Sequence, residues 1–151
     1  MTGIKYTLTH KPFEAFTPFE LYQVMRLRSE VFVVEQQCIY LDADNKDPLC
    51  YHLMLWDEAV LVAYARLVPE KLSYTEKSIG RIISSPKYRK TGAGRLLVKK
   101  AIELSNEIYG KGPIKIGAQA YLQKFYESFG FVQCSDHYLE DDIDHIDMLL
   151  A

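Results

Sequence analysis

The chain has 151 residues, 48% hydrophobic and 25% charged, with 18 Lys and Arg against 20 Asp and Glu. That length suits a single domain, 1–151, and the apolar fraction suffices for a buried core, which excludes a disordered chain. A net charge of −2 argues against a nucleic-acid partner, because phosphate-backbone binding needs a concentrated basic face.

The longest apolar runs, Leu53–Trp56 and Ala59–Ala65, fall well short of the ~20 residues that cross a bilayer, so no membrane partner is expected. Met1–Thr9 holds no apolar signal core, which points to a cytoplasmic protein. Cys38, Cys50 and Cys134 are odd in number and form no Cys-x-x-Cys pair. Neither a disulfide framework nor a metal site is expected from them.

In chain order, Ile4, Tyr6 and Leu8 alternate with polar residues and predict a half-buried strand over 4–9. Thr17-Pro18 followed by Glu20 is a capped helix start, and Leu21 to Phe32 continues at helical spacing. Residues 35–49 read as a polar, acidic loop. Tyr51–Trp56 and Ala59–Val68 predict a hairpin turning at Asp57-Glu58, and Ser78–Ser84 a further strand. Gly92 to Tyr109 is the strongest helix, striped by Leu97, Ala101, Leu104 and Ile108 and closed by Gly110 and Pro113. A strand over 114–118, a short helix over 121–129 ended by Gly130, and strands over 131–134 and 145–150 complete the pattern. Hairpins mixed with crossovers predict an α/β mixed sheet flanked by helices.

The most chemical segment is Arg89-Lys90-Thr91-Gly92-Ala93-Gly94-Arg95. Two glycines at a helix entry let backbone amides converge on one anion, and the helix dipole adds partial positive charge. The bland reading is a glycine-rich turn with solvated basic residues. The run is neither a G-x-x-x-x-G-K-[ST] phosphate loop nor a three-glycine dinucleotide fingerprint.

R-x-x-G-x-G behind a strand carrying Ile82-Ile83 resembles motif A of the GCN5-related N-acetyltransferases (GNAT). Ile114–Ala120 leading into Phe125-Tyr126-Glu127-Ser128-Phe129-Gly130-Phe131 resembles the family's motif B. The ElaA-like branch is matched further by Arg28–Gln36, Asp44, Asp47, His52-Leu53, Ala65–Pro69 and the tail Tyr138–Met148. Glycine-isoleucine-proline is expected there in place of Asp142-Ile143-Asp144. The resemblance implies a mostly antiparallel twisted sheet whose middle strands splay apart, with acetyl-CoA as donor. It implies a pantetheine arm bonded along Ile82, Ile83 and Ser84, and a pyrophosphate in the loop Arg89, Lys90, Thr91, Gly92, Ala93, Gly94 and Arg95. Gln119 stands where many members carry a cofactor-binding asparagine, and Phe125 joins the cofactor set. Tyr126 is expected near the thioester sulfur, against the alternative of a core aromatic.

Acetyl transfer to an amine needs alignment of two reactants, removal of a proton from the amine, and a proton for the leaving thiolate. Glu35, His52 and His145 are the base candidates, each with a structural alternative. Cys38 and Cys134 lack an adjacent base, so a ping-pong route through cysteine is not favoured. The expected acceptor is an amine of a small molecule or peptide. The clusters Asp42, Asp44, Asp47 and Glu140, Asp141, Asp142, Asp144, Asp147 read as solvated loops or as a rim attracting its charge. A homodimer is left open. Two rival readings remain: an acyl-homoserine-lactone-synthase-like acyltransferase, which the N-terminal third also resembles although such enzymes generally lack the R-x-x-G-x-G loop, and a coenzyme-A-binding module without turnover.

Overall fold

The computed structural model describes residues 5–151, so Ile4 of the expected first strand lies outside them. Its strands are β1 Thr7–Pro12, β2 Tyr51–Asp57, β3 Val60–Val68, β4 Lys77–Ser84, β5 Ile114–Gln119, β6 Val132–Gln133, β7 Tyr138–Glu140 and β8 Ile143–Leu150. Its α-helices are α1 Pro18–Arg28, α2 Ala93–Tyr109 and α3 Gln123–Glu127. One eight-stranded sheet has the order β1-β2-β3-β4-β5-β8-β6, with β7 also on β8. All of its pairings are antiparallel except β4 with β5. The mixed, mostly antiparallel sheet is therefore present as expected.

Both faces of the sheet are covered, and β2 shows why its sequence reads as continuously apolar. Leu53 and Leu55 enter a core shared with Leu97, Val98, Ala101 and Leu104 of α2. Met54 and Trp56 face the other way, toward Val24 and Leu27 of α1. Each such fully buried side chain contributes roughly 1.5–3 kcal/mol. Thr17 caps α1 as predicted: Glu20 N donates to Thr17 Oγ1 (3.1 Å) and Thr17 N to Glu20 Oε1 (2.8 Å).

Several boundaries differ from expectation. β1 ends at Pro12 rather than residue 9, because pairing with β2 runs from Thr7↔Trp56 to Pro12↔Tyr51, and an edge strand tolerates proline. The regular helix stops at Arg28, and a π-helical stretch, Ser29–Glu35, follows. Its wider turns, closed by Gln36 N to Val31 O and Cys38 N to Val33 O, send Val31 into the core. The expected helix over 121–129 is a 3₁₀ turn, Ala120–Leu122, and the brief α3. β7 is additional. It pairs with β8 through a two-residue turn in which Asp141 and Asp142 have φ of +50° and +63°. That left-handed geometry accounts for the glycine the resemblance expects at 142.

The acidic run Asp42, Asp44, Asp47 is neither a solvated loop nor an amine-attracting rim. Arg28, fully buried, places Nε 2.7 Å from Asp42 Oδ2 and one terminal nitrogen 2.7 Å from Asp47 Oδ1. Arg66 binds Asp44 (2.8 Å) and Asp47 (2.9 Å), and Arg81 Nε lies 2.8 Å from Asp42 Oδ1. Three carboxylates are thus consumed by three guanidinium groups. Burial opposes the charge on Asp44 and Asp47, but the hydrogen bonds and charge of Arg66 and Arg28 outweigh it and hold both below the usual range.

Candidate functional site

β4 and β5 pair at two positions, Lys77↔Ile114 and Ser78↔Lys115, and then part. A bulge helps to turn β4 away. Its register with β3 shifts between Tyr64 and Arg66, and Arg81 opposite has φ +50°. The wedge between the strands opens into a cavity of about 1120 Å3, lined by Ile82, Ile83 and Ser84 from β4 and by Gly117, Ala118 and Gln119 from β5.

At one end of the cavity, Gly92 ends the loop with φ +88°, a conformation side-chain-bearing residues adopt at a cost. Leu96 N donates to Gly92 O (3.1 Å), so the amides of Ala93, Gly94 and Arg95 have no partner within α2, and no side chain caps them. A Cβ at Gly92 would meet nothing within 4 Å, and one at Gly94 only Phe125 Cζ at 3.8 Å. Uncapped amides beside glycines at the positive end of a 17-residue helix have the chemistry to accept a phosphate group. These features fit the pyrophosphate of a coenzyme A.

The basic residues of the loop take different directions. Lys90 lines the cavity. Arg95 lies 4.7 Å over the Phe129 ring and donates to Ser128 Oγ at 3.0 Å. Arg89 lines the cavity and grips Glu35 through both terminal nitrogens, one at 2.7 Å. That hydrogen bonding lowers the Glu35 pKa. Glu35 itself is not among the lining residues. Thr91 turns away, bonding Tyr88 O and Tyr6 Oη, and Ala93 is buried in the core.

Tyr126, Phe125, Gln119 and His145 all line the same cavity. Tyr126 is 5% exposed, sits edge-on to Phe125 and Phe131, and makes no side-chain hydrogen bond among the described residues. Burial pushes its pKa well up, so it stays protonated. His145 on β8 stacks on Tyr138, and its Nδ1 is 2.7 Å from Ile143 O. A carbonyl only accepts, so Nδ1 carries a hydrogen, and in the neutral ring Nε2 presents a lone pair. Gln119 and Gln36 bond reciprocally at 3.2 Å, strapping the end of the π-helical stretch to β5.

His52 does not join them. It is 1% exposed, with Nδ1 2.6 Å from Tyr64 Oη and Nε2 3.0 Å from Asp47 O. Burial lowers its pKa to about 4 from 6.5. The native ring refuses a proton that the unfolded chain accepts, so this group adds stability above pH 6.5 and loses it as pH falls toward 4. We expect a loss of about 3 kcal/mol across that window, read from denaturant unfolding at a series of pH values, with the His52 ring resonances still mostly those of the neutral form at pH 5. A flat stability profile, or a ring titrating near 6.5, would contradict this.

Cys38 also lines the cavity, with Sγ 3.2 Å from Asp141 O, and burial raises its thiol pKa. Arg81 was not foreseen as a lining residue. Its signal was available, as an arginine interrupting the apolar strand 78–84. Among the described residues, no helix is long and apolar enough to cross a membrane.

Residues 20–151 match the family model described as an acetyltransferase (GNAT) domain. The chain belongs to the GNAT family. Within it the chain falls in the ElaA-like branch. ElaA of Escherichia coli is 40% identical over 131 residues, covering 85% of this chain and 86% of ElaA. The ElaA crystal structure superposes with a TM-score of 0.91 at 35% identity, covering 97% of this chain and all (100%) of that one. An acyl-CoA N-acyltransferase from Pseudomonas aeruginosa gives a TM-score of 0.92 at 39% identity, covering 97% and 100% of the two chains. A UPF0039 protein of Schizosaccharomyces pombe is 43% identical over 143 residues, covering 93% and 94%. The shared fold extends over nearly the whole chain.

Proposed function

We propose that the protein, a single cytoplasmic domain, transfers the acetyl group of acetyl-CoA to a primary amine by direct transfer in a ternary complex. The observation that carries this reading is the β4–β5 wedge. It leads from the uncapped amides of Ala93, Gly94 and Arg95 to Tyr126 and His145 within one cavity.

Acetyl-CoA supplies an acetyl carbon activated as a thioester. The three amides and Lys90 hold the pyrophosphate, Arg89 adds charge once released from Glu35, and the edge of Ile82, Ile83 and Ser84 carries the pantetheine arm. Gln119 and Phe125 border that arm. An alkyl amine is mostly protonated at neutral pH, its pKa being near ~10.4. His145 Nε2 takes one proton from it. Tyr126 Oη then gives its proton to the departing sulfur and regains one from the nitrogen as the amide forms. Glu35, ion-paired and of lowered pKa, is a poor base, and His52 has both nitrogens engaged. Cys38, its thiol pKa raised, is a poor nucleophile, which favours direct transfer.

Free thiol released from acetyl-CoA in the presence of a panel of primary amines tests the activity itself. Tyr126→Phe tests the role of the hydroxyl while keeping the ring. We expect kcat to fall about 10–1000-fold with little change in acetyl-CoA affinity by calorimetry. A kcat within about twofold of wild type would return Tyr126 to the core and leave thiolate protonation to water.

A further inference from the structure

Glu140 ends β7 with a side chain 63% exposed, and its Oε2 lies 3.6 Å from His145 Nε2. His145 is 7% exposed and lines the cavity, and Nε2 presents a lone pair because Nδ1 donates to Ile143 O. In the neutral ring, two acceptors therefore face each other across a gap too long for a direct hydrogen bond. A single group satisfying both must offer two donor hydrogens, and beside a carboxylate it is favoured by positive charge. An alkylammonium has both properties.

Charge on the surrounding wall points the same way. Arg66 and Arg81 line the cavity but are taken up by Asp42, Asp44 and Asp47. Lys46 keeps its charge, with Nζ 3.1 Å from Ser73 Oγ. Asp141, next to Glu140, also lines the cavity, and its carboxylate has no ion-pair partner among the described residues. Tyr126, buried and with no side-chain hydrogen bond among the described residues, lines the same cavity.

We propose that Glu140 is the docking carboxylate of the acceptor, sharing the acceptor's ammonium with His145 Nε2, and that the acceptor is an alkyl diamine. Its second cation is met by Asp141. This rests on the acetyl-transfer reading, and it makes Glu140 a positioning and specificity residue.

Three amines of equal chain length separate the possibilities: 1,4-diaminobutane, butylamine and 4-aminobutyrate. The wild type should prefer them in that order by kcat/KM. Glu140→Gln should raise KM for the diamine about tenfold or more with kcat changed only a few-fold, the effect of losing one charge-assisted contact. Glu140→Lys should move the preference toward 4-aminobutyrate. An unchanged KM in Glu140→Gln, or a wild type preferring 4-aminobutyrate, overturns the proposal. A second measurement needs no turnover: titration with 1,4-diaminobutane, followed by the His145 ring resonances in wild type and Glu140→Gln. Binding that depends on Glu140 without any acetylation would refute the transfer reading and leave the docking role standing. Absence of binding to the wild type would refute the docking role.

Discussion

Gly94→Asp is expected to weaken coenzyme A binding at least about 100-fold, which is ~2.7 kcal/mol, while leaving the melting curve in place. Gly94 occupies the second position of α2, where its amide is one of three without a helical partner. A Cβ there meets only Phe125 Cζ at 3.8 Å, an ordinary contact, so the fold accepts a side chain. An aspartate at a helix start also suits the dipole, which protects stability. The same carboxylate enters the amide cradle and repels a pyrophosphate. Gly94 is a cleaner probe than Gly92, whose φ of +88° makes any substitution there strained. Calorimetric titration with coenzyme A, beside thermal melts of both proteins, reads the two effects separately. Unchanged affinity in a folded variant would remove the pyrophosphate from this loop.

Arg28→Ala should cost about 3–5 kcal/mol of folding stability, because it leaves Asp42 and Asp47 buried without their shared counter-charge. The guanidinium is fully buried, holds both carboxylates at 2.7 Å, donates to Asp42 O at 3.2 Å and lies 5.9 Å from the Tyr64 ring centre. Lysine keeps the charge but cannot reproduce the planar fork, so Arg28→Lys should recover only part of the loss. For a chain of this size, the alanine variant should melt roughly 6–20 °C lower. Denaturant unfolding measures the free energy directly. A loss below about 1 kcal/mol would mean that water or relaxation replaces the buried pair. The network also sets one wall of the cavity, since Asp42 and Asp44 hold Arg81, and Asp44 and Asp47 hold Arg66.

What was legible from the residues was what short spacing encodes. Thr17 with Glu20, the stripe of α2 and the two glycines at its start each act within a few positions, and each stands where expected. The partners of Asp42, Asp44 and Asp47 lie far along the chain, on α1, β3 and β4, so no local pattern distinguishes this buried ion network from a wet loop. His52 had the same ambiguity. Its partner Tyr64 lies across the β2–β3 hairpin, and the Asp47 carbonyl comes from the preceding turn. β7 escaped because it is three residues long and turns on Asp141-Asp142 rather than on an asparagine-glycine pair. Glu140 was visible as one charge among many in the tail. Its place opposite His145 Nε2 depends on that hairpin.

The most direct test of transfer within one wedge is the initial rate of thiol release, measured while acetyl-CoA and the best amine of the panel are varied against each other. Direct transfer in a ternary complex predicts double-reciprocal lines that intersect and thiol release that requires the amine. Parallel lines, with a burst of thiol before any amine is added, would establish an acetylated enzyme and contradict it.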